Sequence, residues 1–154
     1  MEKGSNQEPI GWLNSERWAS ALFCIGLALL ATHEMDAMTH SEWELLPLLK
    51  NLDDATAALM FLVLHIPLFS AIFWLLLEPL QKFRVRTELV LDLFLIVHAC
   101  LHFALSERPE YSFHSWVSES LIFGAAAFAL LHIILVWQAG VGRTGLKDND
   151  KAIG

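Results

Sequence analysis

Seven histidines and a set of carboxylates are interleaved with long apolar runs, and their spacing is the first sign of chemistry. His33, Asp36 and His40 stand three and four residues apart, so on a helix they share one face. His98 and His102 repeat the four-residue spacing further along. Imidazole and carboxylate are the ligands of zinc, iron and manganese, and facing helices that each offer such a pair are a common way to build a metal site in a bundle. His33, Asp36, His65, His98 and His102 are therefore the candidate metal ligands. Glu34 points about 100° away from His33 and is a candidate acid/base, bridging ligand or hydrogen-bond partner of a histidine. Glu119 is a second acid/base candidate.

The elements that must carry these residues are membrane helices. Hydrophobic residues make up 55% of the 154 and charged residues only 18%, with a mean hydropathy of +0.48. Four apolar runs, 18–38, 55–77, 87–105 and 116–137, are each long enough to cross roughly 30 Å of hydrocarbon. Short links favour an up-down order, so the expected fold is an all-α, integral membrane, antiparallel four-helix bundle over residues 18–138. Residues 1–17 form an N-terminal segment and 139–154 a flexible tail. The first run has no clear cleavage site before His33 and reads as a retained span. Pro67 falls within the second run, where it can kink the helix.

No Lys or Arg lies inside a span. Lys3, Arg17, Lys82, Arg84, Arg86, Arg143, Lys147 and Lys151 fall in the N-terminal segment, the second link and the tail, whereas the first and third links hold only Lys50 and Arg108. The positive-inside rule then predicts a multi-pass protein of the cell membrane with both termini cytosolic. Trp12, Trp18, Trp43, Trp74, Trp116 and Trp137 all fall near expected interfaces, where an amphipathic indole is favoured.

Within that topology, counting 1.5 Å per residue puts His33 and Asp36 about 5–9 Å from the outer end of span one and His98 and His102 about 5–10 Å from that of span three. His65 lies about 15 Å deep and Glu119 about 5 Å. Groups from four helices thus converge on the outer half. Charges facing lipid are costly, so such residues turn inward. If they served packing alone, each interhelical hydrogen bond would contribute only about 0.6 kcal/mol. His40 and His114 are expected at the interface. His132, deep on the other side, reads as a packing residue, and the role of Asp92 stays open. The inner half is otherwise apolar.

The segment His33-Glu34-Met35-Asp36-Ala37, followed by Glu42-Trp43-Glu44, resembles the small bacterial four-span membrane proteins of the HXXEE-motif type. Those have a histidine followed by paired acids near the end of an early span. Here Ala37 stands where the second acid would be, and the match reduces to His33-x-x-Asp36. The closer likeness is to an uncharacterised group with a His-Glu-x-Asp-x(5)-Glu-Trp pattern. The resemblance implies a shared site and names no reaction.

The expected function is a divalent transition-metal site, with zinc, iron or manganese as cofactor, that is structural or acts on a lipid-soluble small molecule. A b-type haem held by two histidines is the alternative. An ion or proton pathway and a non-catalytic accessory subunit complete the set, and enzyme status stays open. Expected partners are the lipid bilayer, the lipid-soluble molecule and a second copy of the chain. The net charge of −7 excludes a nucleic-acid partner. Cys24 and Cys100 lie in apolar runs and read as small fillers.

Overall fold

In the computed structural model, the backbone of residues 10–152 and the side chains of residues 16–139 are described. The chain forms α1 (Ile10–Thr39), a 3₁₀ turn (Glu42–Leu45), α2 (Asp54–Leu76), α3 (Gln81–Leu105) and α4 (Trp116–Ala152). All four helices are long and apolar enough to cross a membrane. The fold is an all-α integral membrane bundle.

The surface is inverted relative to a water-soluble bundle. Leu59, Leu62, Val90, Leu93, Phe103 and Leu130 face outward, whereas His33, Asp92, His102, Ser118 and His132 are buried. Lipid accepts apolar side chains and penalises polar ones, so the polar groups turn inward.

Three layers fill the interior. At the end carrying the α2–α3 link, Phe23, Ile72 and Leu91 pack together. The middle layer is Leu30, Leu95, Ala125 and Ala129. At the end carrying the α1–α2 and α3–α4 links, Ala37, Trp43, Phe61, Ala99, Phe113 and Ile122 form the largest cluster. The pairings fix direction. Phe23 lies beside His132 and His33 beside Phe113, so α1 and α4 run in opposite senses. Leu91 joins Phe23 and His98 joins His33, so α1 and α3 run in the same sense.

The tightest seam joins α1 to α4. Gly26 lies in this seam, where a Cβ would stand at ordinary contact distance, 3.5 Å from Leu95 Cδ1 and 3.6 Å from the Ala125 carbonyl oxygen. By contrast, α2 hangs at the periphery and buries only Ala57, Phe61 and Ile72. Its start is fixed locally: the Asp53 carboxylate accepts from the Thr56 amide at 3.0 Å, and Trp43 Nε1 donates to Asp54 at 2.9 Å.

Several boundaries differ from expectation. The helix of α3 begins at Gln81 rather than residue 87, because Lys82, Arg84 and Arg86 continue it beyond its apolar part. Around Pro67, α2 is unbroken from Asp54 to Leu76. Helix α4 continues to Ala152 over the stretch expected to be a tail. Trp18, Trp74, Trp116 and Trp137 are exposed as an interfacial reading requires, but Trp43 is buried against Phe61 and is a packing residue. Residues 1–9 and the Trp12 side chain lie outside the described residues.

Candidate metal centre

The link end of the bundle brings four ligand-type side chains together. His33 comes from α1, and His98 and His102 come from successive turns of α3. The three imidazoles meet edge to face, with ring centroids 5.0 Å apart for His33–His98 and His33–His102 and 4.6 Å for His98–His102. Glu42 completes the set. Its carboxylate lies 3.5 Å from His33 Nε2 and 3.6 Å from His102 Nε2.

A backbone reversal delivers Glu42. Helix α1 stops at Thr39, and Ser41 adopts the left-handed region at φ 52°, ψ 45°. That conformation costs a residue with a Cβ about 1–2 kcal/mol. It folds the 3₁₀ turn back beneath α1, so that Glu42 points at the histidine nine positions earlier. The third link covers the group from the other side. Phe113, fully buried, packs against His33 and His102. Ser112 anchors that link by donating to the His40 carbonyl at 2.9 Å.

One ligand atom from each of His33, Glu42, His98 and His102 lies within 4.8 Å of the other three. Ligands 2.0–2.1 Å from a tetrahedral ion stand about 3.4 Å apart, so small side-chain rotations close the set. Both His33 nitrogens, His98 Nε2 and Glu42 Oε2 are buried without a hydrogen-bond partner. His102 is oriented from outside: its Nδ1 lies 3.2 Å from the Tyr111 hydroxyl. With the proton on Nδ1 donated to Tyr111, Nε2 presents its lone pair inward, the arrangement typical of a metal-ligating histidine.

Electrostatics fit the same picture. Burial opposes the charge on Glu42, but its contacts with His102 and His33 outweigh that and hold the carboxyl at about 2, well below its ordinary 4.5. Burial, then the charges of Glu119 and Glu42, push the Tyr111 phenol up, so it stays protonated.

The match to known families covers residues 19–139, which contains all four helical spans' apolar parts and the whole cluster. The chain belongs to the family of unknown function DUF6713. No curated protein and no solved structure matches the chain. Membership fits the expected uncharacterised group, while the likeness to HXXEE-motif proteins gains no support from it.

In this DUF6713 member the remaining candidates occupy three other places. Asp36 sits beside His40, 3.2 Å away, rather than in the four-residue group. His65 on α2 pairs with Glu34 on α1 at 2.8 Å, and its Nδ1 lies 2.6 Å from the Phe61 carbonyl. Glu34 and His65 border a groove between α1 and α2 of about 440 Å³, otherwise lined by Ala31, Met35, Met38, Leu62, Phe69 and Phe73. Glu119 is exposed in the first turn of α4. His114 is exposed against the Tyr111 ring.

Two findings lie beyond what helical spacing shows. Glu42 stands past the end of a span, and only its place in the resemblance pattern links it to His33. In the other half of the bundle the two polar exceptions are partners: His132 Nδ1 meets Asp92 Oδ2 at 2.6 Å, both buried.

Proposed function

We propose that the chain holds one divalent transition-metal ion, of the zinc, iron or manganese class, among His33, Glu42, His98 and His102. The observation that carries this reading is the convergence of unpartnered buried atoms from α1, the 3₁₀ turn and α3 on one point. Each unsatisfied buried polar group costs about 1–3 kcal/mol. The contacts at 3.5 and 3.6 Å are too long to be good hydrogen bonds, so packing alone offsets little of that cost. A cation bound by three neutral imidazoles and one carboxylate offsets it directly.

The spacing favours a bare ion over haem. Axial histidines stand on opposite faces of a macrocycle, whereas these rings touch edge to face at 4.6–5.0 Å and leave no slot for one. The distribution of Lys and Arg supports a topology with the termini in the cytosol and this cluster toward the outer face of the cell membrane.

A bound ion would supply Lewis-acid chemistry. Glu34, the chain neighbour of His33, is placed to exchange a proton with a lipid-soluble molecule entering the apolar groove between α1 and α2. Elemental analysis and an optical spectrum of the detergent-purified protein test the metal reading. The expected result is about one ion per chain, lost in His98→Ala. A colourless protein that takes up no zinc, iron or manganese on loading overturns it.

A further inference from the structure

We propose that Asp92 and His132 form a proton-accepting pair at the blind end of an aqueous cleft that opens at the α2–α3 link end of the bundle. The pair shares no residue with the metal cluster and does not depend on it.

The cleft, about 480 Å³, is bounded by Glu16 and Ser20 of α1, Arg84 and Glu88 of α3, and His132 and Val136 of α4. Its charged groups form a graded series inward. Arg84 lies 3.8 Å from Glu88, Glu88 lies 4.0 Å from His132 Nε2, and His132 Nδ1 lies 2.6 Å from Asp92 Oδ2. Glu16 faces the same space from α1. Helix α2 adds no charge here, because its ionisable residues, Asp54 and His65, lie toward the link end and mid-span.

Asp92 is fully buried, and His132 satisfies only one of its oxygens. Oδ1 has no partner. With neutral His132 donating from Nδ1, Asp92 holds a negative charge about 16 Å along α3 from Gln81, in surroundings that penalise it. A proton taken from water in the cleft and placed on the pair removes that charge. Beyond the pair the route stops. Leu30, Leu95, Ala125 and Ala129 close the interior, and the six residues from Asp92 to His98 span about 9 Å. The arrangement is a half-channel, not a continuous path.

Infrared difference spectroscopy on the full-length detergent-purified chain, perfused between neutral and acidic buffer, tests the pair. The expected result is a change in carboxylate or imidazole bands that appears on acidification and is lost in Asp92→Asn. A spectrum in which Asp92→Asn changes nothing overturns the proposal. Access is tested separately, so that a poorly folding Asp92 variant does not decide the matter. In a chain with Cys24 and Cys100 replaced by serine, Ser20→Cys and Ala129→Cys are exposed to a membrane-impermeant maleimide. Only a hydrated thiol ionises readily, so the Ser20 position is expected to react at least about tenfold faster. Equal rates overturn the cleft as a water-filled entry.

Discussion

Glu34 and His65 meet at 2.8 Å across the seam between α1 and α2, one residue along the chain from a member of the metal cluster but turned away from it. The pair docks the peripheral helix and lines the lateral groove. Replacing Glu34 with glutamine is therefore expected to leave metal content unchanged and to cost about 0.6 kcal/mol of helix association. Elemental analysis together with thermal unfolding in detergent checks both halves. Loss of metal in Glu34→Gln would place Glu34 among the ligands.

Tyr111→Phe removes the hydroxyl that hydrogen-bonds His102 Nδ1 while leaving the ring that packs on Phe113. Metal affinity is expected to fall about 10–100-fold. Competition with a chelator of known affinity measures the change, and an unaltered dissociation constant would remove Tyr111 from the site.

Ser41 tests the placement of Glu42 without touching a ligand. Glycine adopts the left-handed conformation freely and valine does not. Ser41→Gly is expected to bind metal as the wild type does, whereas Ser41→Val loses most of it. Side-by-side metal loading of the two variants gives the answer.

The site should also release its ion reversibly in mild acid. Three imidazoles must be neutral to bind, so protons compete with the ion for the same nitrogens. Occupancy is expected to fall as the pH is lowered from neutral while the fold persists. The reason is Glu42. A carboxyl held at about 2 in the fold against an ordinary 4.5 contributes stability that is full above 4.5 and is lost only as the pH falls toward about 2. Equilibrium dialysis and circular dichroism across this range should separate metal release from unfolding.

The four-helix membrane architecture is legible in the sequence because apolar length is nearly sufficient evidence for a span, and each apolar run falls on one helix. The spacing of His98 and His102 correctly puts two imidazoles on one face, and depth counting brings His33 level with them. Glu42 escapes because a single left-handed residue, Ser41, reverses the chain, and no periodicity encodes that. Asp36 shows the limit of counting along one face. It shares a helix face with His33, yet it sits beside His40, one turn nearer the end of α1. Asp92 and His132 lie forty residues apart, so only packing reveals that they are partners.

The closest seam in the bundle joins the first helix to the last. As the chain is made, α1 enters the bilayer carrying His33, Glu34 and Asp36 before α3 and the α3–α4 link, which will shelter His33, exist. The polar end of α1 must therefore wait at the interface, and the bundle closes only once α4 has been made. Truncation before α4 should leave an unassembled chain for quality control to remove, not a smaller version of the same protein.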